Sequence, residues 1–291
     1  GNVSFGAPTS AWFQQEIEQK FFDFYLKGTG AMDISEATIF ETGSNRWKTY
    51  NTWPPTSAAP QKWYFQGNGA LSTQLSNRES DMPARTYTSD PAHPVPYTED
   101  VHLHRTREYM TDDQRFAARR TDVLAYETPT LGKSVTVAGT VVADLWISVD
   151  DEGAAPANAL LDVDMVVKII DVFPDTLSTV SGNVPLGGYQ MLVRGEIFRG
   201  RYRNSFEQPE GFERNDVSHV RFELPDISHT FLPGHKMMVQ VQSSWFPLAD
   251  RNPQQFVDVY HAKDSDFVPA EIQVFHTPLG ASGVVLPVLR K

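Results

Sequence analysis

Between Val135 and Ile147 every second residue is apolar or glycine: Val135, Val137, Gly139, Val141, Ala143, Leu145 and Ile147, an alternation held over thirteen residues. A period of two places these side chains on one face of an extended strand, and a strand this long demands a broad sheet to pair with. A second strand reads from Lys236 to Trp245. There Met237, Val239, Val241, Ser243 and Trp245 share one face, while Lys236, Met238, Gln240, Gln242 and Ser244 share the other, expected to be wet or half-covered. Leu232-Pro-Gly234 supplies the turn into it, and Phe246-Pro247 ends it because proline cannot donate to the ladder.

The remaining strands follow the same logic. Ala37–Thr42, Lys62–Gln66, Met191–Tyr202, Ser218–Leu224, Glu271–His276 and Val284–Leu289 are rich in β-branched or aromatic residues. Asp162-Val-Asp-Met-Val-Val-Lys-Ile-Ile-Asp-Val172 is more continuously apolar, as expected in the middle of a sandwich. Residues 72–121 are polar and irregular, with Pro83, Pro91, Pro94 and Pro96; a connection this long is functional or wraps another domain. One helix is expected, over residues 10–28, with Ser10 as its cap and Gly28 as its left-handed stop. Its stripe of Phe13, Ile17, Phe21, Phe24 and Tyr25 must dock on this β-domain or on another. Long strands and a single helix predict a mainly β fold, a two-sheet jelly-roll sandwich.

Composition narrows the function. A formal charge of −11 argues against gripping nucleic acid or an anionic membrane, and no apolar run approaches the roughly 20 residues that span a bilayer. The absence of cysteine removes disulfides, thiolate metal sites and a thiol nucleophile, and suits cytoplasm and periplasm alike. The sequence opens at Gly1-Asn2 without Met, which reads as a segment of a longer protein.

Three blocks occur in order: Arg120–Thr128; Asp162 to Asp175; and Leu232 to Pro247 followed by Asp250-Arg-Asn-Pro253. They resemble the C-terminal jelly-roll domain of the X-prolyl dipeptidyl-peptidase/cocaine-esterase family of serine hydrolases. Gly187-Gly-Tyr-Gln190, Ile197–Arg203 and Asp113-Gln-Arg-Phe116 bring the likeness nearest to the α-amino-acid ester hydrolases, also described as glutaryl-7-aminocephalosporanic acid acylases. The resemblance implies a galactose-binding-like sandwich with three parts. Residues 1–30 would be the last helix of an α/β-hydrolase domain, 31–121 connecting strands and the irregular segment, and 122–291 the main body. It also implies partners: the chain's own N-terminal hydrolase and cap domains, a small ester or amide substrate, and copies of itself in a homo-oligomer. No cofactor is implied.

The family's nucleophile sits in a Gly-x-Ser-x-Gly elbow, which this chain lacks; the nearest string, Gly280-Ala-Ser-Gly-Val284, misses the second glycine. The triad His would lie just upstream of Gly1. No catalytic residue is therefore assigned, and the chain alone is expected to be inert. Tyr97, His102, His104, Tyr109 and Met110, in the irregular segment, are the candidates for lining a substrate pocket beside the hydrolase domain. His102-Leu-His104 has a spacing that suits zinc only if a third ligand converges. Asp162 and Asp164 are weak calcium candidates, with solvated turn charges or amide caps as the plainer alternative. Arg199, Arg201 and Arg203 are expected to pair with acids or with the hydrolase domain, His235 to be a hydrogen-bonded structural residue, and Trp47, Trp53 and Trp63 to pack rather than stack sugars. The rival reading is a stand-alone module binding carbohydrate or protein.

Overall fold

The computed structural model describes residues 1–75, 83–277 and 280–290, so part of the irregular segment, 76–82, lies outside it. The N-terminal helix runs as α1 (Thr9–Phe13), a π-wound turn over Gln14–Glu18, and α2 (Gln19–Lys27). Gly28 ends it at φ 65° and ψ 27°, as expected. Ser10 does not cap it: the N-cap is Pro8, two residues earlier than expected, and Ser10 lies inside the helix.

Strands follow in chain order: β1 (Ala37–Glu41), β2 (Arg46–Tyr50), β3 (Ala58–Phe65), β4 (Leu71–Ser72) and β5 (Ala84–Ser89). Then come α3 (Arg115–Ala118), β6 (Leu124–Glu127), β7 (Val135–Asp150), β8 (Asp164–Val172), β9 (Val180–Ser181) and β10 (Val184–Pro185). The chain closes with β11 (Gln190–Arg199), β12 (Ser218–Phe231), β13 (Lys236–Gln242), β14 (Ala270–Phe275) and β15 (Gly283–Leu289). Two antiparallel sheets form the sandwich. The smaller has the order β11-β8-β13-β6; the larger runs β4-β3-β15-β7-β14-β5, with β12 also on β7.

The long alternating strand organises the larger sheet. One edge of β7 pairs with β12 from Val135 to Ile147, and the other takes β15 and then β14. Its inward residues Val137, Val141, Ala143, Leu145, Ile147 and Val149 meet Met165, Val167 and Ile169 of β8 and Met237, Val239 and Val241 of β13. Close packing of this apolar layer is the main source of stability.

The smaller sheet corrects one expectation. The face of β13 that was expected to be wet or half-covered is dry along its middle: Met238, Gln240 and Gln242 are all buried. The irregular segment lies over it. Tyr97, Val166, Ile170, Leu192, Met238 and Trp245 form a second apolar cluster there, and the Gln240 amide donates to the Gln114 carbonyl at 3.2 Å. Trp245 therefore packs with Met238 and not with Met237, because the strand stops at Gln242 and its alternation ends with it.

Candidate functional site

The expected pocket residues divide into two groups. Tyr97 is held at both ends: its backbone N–H donates to the Phe246 carbonyl at 2.9 Å, and its hydroxyl accepts from the Thr106 N–H at 3.3 Å. Its ring lies 5.6 Å from that of Tyr109, which in turn stands edge-on to Trp245 at 6.4 Å. Tyr109, exposed Met110, Leu192, Ile197, Trp245 and Leu248 line a groove of about 430 Å³ along the edge strand β11. Gly195 makes room for the tryptophan, since a Cβ there would sit 2.7 Å from its ring. His102 and His104 do not join them. They lie on an exposed stretch with Val101 and Leu103, and only His102 borders the shallow acidic hollow formed by Glu99, Asp100, Glu108, Asp112, Asp113 and Arg115. Burial raises the Asp112 carboxyl above the usual carboxylate range. Among the described residues no group of three His, Asp or Glu is placed to hold a metal ion.

Beneath the groove lies a residue the sequence reading did not single out. Lys168, fully buried on β8, donates to the Gln114 side-chain oxygen at 3.0 Å and sits 5.5 Å from the Trp245 ring. Desolvation alone lowers its ammonium to about 7. A single lysine in an apolar strand was the available signal.

Asp162 and Asp164 are the buried ends of a clasp. Arg201 Nε donates to Asp162 at 2.7 Å and Arg199 Nε to Asp164 at 3.2 Å. The Asn252 amide bridges both carboxylates, at 3.0 and 2.8 Å. Arg199 also reaches Asp250 at 3.0 Å, so the Asp250-Arg-Asn-Pro253 motif locks a loop onto β8 and β11. The oxygens that were weak candidates for calcium thus accept from arginine and asparagine N–H groups. Burial pushes the Asp164 carboxyl up to about 6 against the opposing pull of Arg199.

Among the described residues, a hydroxyl, an imidazole and a carboxylate line up at Thr42, His229 and Asp171. The Thr42 hydroxyl lies 2.8 Å from His229 Nδ1, and His229 Nε2 lies 3.3 Å from Asp171, whose other oxygen is 2.8 Å from His235 Nδ1. Its geometry is that of an anchor. The Thr42 hydroxyl is also engaged by the Ser228 carbonyl at 3.2 Å, His229 is completely buried, and a Cβ at neighbouring Gly43 would lie 2.0 Å from the Thr230 carbonyl oxygen. An acyl carbon has no approach to that oxygen, so the chain ties the β1–β2 hairpin to β12 and β8. His235 is hydrogen-bonded, as expected. Ser243 is likewise committed, 2.6 Å from the Tyr87 hydroxyl inside the core.

The tryptophans pack. Trp47 stacks on Trp12 at 4.1 Å, Trp63 is buried, and the Trp53 indole donates to Asp226 at 2.5 Å. Trp12–Trp47 joins the helix to the β1–β2 hairpin, and the C-terminal part of the helix keeps its large side chains exposed. Phe21, Phe22 and Tyr25 are 43%, 46% and 59% exposed, and Leu26 is 76% exposed.

The Thr42 and Ser243 hydroxyls are held inside a β-sandwich, and the aromatic helix beside it is unburied. Residues 8–277 match the family described as the X-Pro dipeptidyl-peptidase C-terminal non-catalytic domain, and the chain belongs to that family. It is 32% identical over 286 residues to the cocaine esterase of Rhodococcus sp. (strain MB1 Bresler), covering 94% of this chain and 46% of that protein. Among solved structures it resembles an aminopeptidase from a marine sediment Thaumarchaeota archaeon, at 39% identity and a TM-score of 0.88, covering 100% of this chain and 46% of that one. An α-amino acid ester hydrolase matches at 36% identity and a TM-score of 0.89, covering 99% of this chain and 47% of that one. The chain thus spans about half the length of these hydrolases.

Proposed function

We propose that this chain is the scaffold half of a serine hydrolase acting on α-amino-acid esters, related amides or β-lactam side chains. In that reading residues 1–30 are the closing helix of the hydrolase domain, 31–121 join it to the sandwich, and 122–291 are the sandwich body. The hydrolase and cap domains lie toward the N-terminus. They supply the serine, the aspartate and the histidine for acyl transfer through an ester intermediate, with backbone amides holding the oxyanion. The scaffold presents the bare helix face to those domains, walls the acyl pocket with Tyr97, Tyr109 and Met110, turns His102 and His104 toward the hydrolase domain, and offers surface for contacts between copies of the protein.

The observation that carries this reading is the uncovered aromatic face at Phe21, Phe22, Tyr25 and Leu26. An apolar surface of this size is unfavourable in water and is expected to meet a partner. A free-standing sugar-binding module has no use for it. The test is an assay of this chain with p-nitrophenyl acetate and phenylglycine methyl ester, in parallel with labelling by a fluorophosphonate. Neither turnover nor labelling is expected; fluorophosphonate-sensitive turnover would overturn the scaffold reading.

A further inference from the structure

A cavity of about 430 Å³ lies between the start of the chain, the β8–β11 connection and the turn before β13. Its walls are apolar, built by Phe5, Phe173, Leu177, Leu186, Met191 and Leu232. Its polar lining includes Asp171 and His235. Asp171 is 1% exposed, accepts from His235 on one oxygen and faces His229 on the other, so both carboxylate oxygens are engaged within the protein. Phe173 leans on the His235 ring at 5.1 Å and helps to fix it. With Nδ1 bound to Asp171, Nε2 is the remaining polar atom of an imidazole that borders the cavity. Asn2, Ser4, Asn45, Thr179 and Ser181 also border this half-open recess, and a mainly apolar hollow of this size with an oriented imidazole is the usual form of a small-molecule site.

We propose that this cavity binds a small aromatic alcohol or phenol, its ring among Phe173, Leu186 and Met191 and its hydroxyl on His235 Nε2. The hydroxyl suits this position in either state of the imidazole, because it donates to the neutral ring and accepts from the charged one. A carboxylate ligand would set a second anion against Asp171, and a hydrocarbon would leave Nε2 unpaired when water is expelled.

The experiment is a fluorescence titration of the protein with 2-naphthol and, in parallel, with naphthalene. Saturable binding of 2-naphthol is expected, about tenfold tighter than naphthalene, the value of one hydrogen bond to an ionisable group. His235→Gln should remove most of that tenfold difference, which a purely structural role for His235 would leave in place. Val180→Trp fills the mouth from a side chain that is 58% exposed, so it tests the site without burdening the fold. It should abolish binding of both ligands. Non-saturable uptake of 2-naphthol, an undiminished affinity in Val180→Trp, or equal affinities for the two ligands in the unaltered protein would overturn the proposal.

Discussion

Strand β8 and the N-terminal helix are both rich in apolar side chains, and they end in opposite surroundings. All nine residues of β8 are buried, including Lys168 and Asp171, because the larger sheet covers one face and the irregular segment the other. No residue of the helix is buried, although four of its side chains between Phe21 and Leu26 are large and aromatic. An apolar pattern states what a segment must hide, and only tertiary structure states whether the covering is at hand. For β8 it is; for the helix it is not. The contrast marks the surface that the proposed partner domain would cover.

Perturbing the two regions should therefore have unequal effects. The largest loss is expected at the clasp beside β8. Asp162→Ala leaves the Arg201 guanidinium buried without its carboxylate, and urea unfolding should show a loss of about 3–5 kcal/mol. Ile169→Ala opens a cavity in the main core, and the same measurement should show about 2–5 kcal/mol. A fully stable Ile169→Ala protein would mean that β8 is not packed as described.

Lys168 sharpens the comparison through pH. Burial holds its ammonium at about 7, whereas an unfolded lysine titrates near ~10.4, so the folded protein binds fewer protons between these values. Stability should then rise with pH across that window, by up to ~1.4 kcal/mol per unit, and show no such slope below it. Lys168→Met should abolish the slope. A slope that persists in the variant would assign it to another group. The smallest effect belongs to the helix: Phe22→Ser, Tyr25→Ser and Leu26→Ser together should change unfolding by no more than about 0.5 kcal/mol, as expected for exposed positions.

Much of this architecture is legible in the residues. The alternation of Val135–Ile147 identifies β7, Gly28 marks the helix end, and the continuous apolar run identifies β8 as central. Short strands escape: β5, with the sequence ARTYTS, lies in a stretch read as irregular, and β6, with LAYE, is too brief to show a period. The dry second face of β13 depends on Gln114 and Tyr97, more than a hundred residues away, and no local pattern encodes it. Of the expected pocket residues, Tyr97, Tyr109 and Met110 gather around Trp245, while His102 and His104 stay on an open stretch that lacks a neighbour to hold them. The motif residues Asp171 and His235 were both visible, but their bond required the two strands to meet.

The central claim is that the bare helix face seats on the remainder of the hydrolase domain. Calorimetric titration of this chain with the α/β-hydrolase half of a polypeptide from the same family tests it directly. One-to-one saturable binding, lost in the Phe22, Tyr25 and Leu26 triple serine variant, is the predicted result. Absence of binding, or the same affinity in the variant, would contradict it.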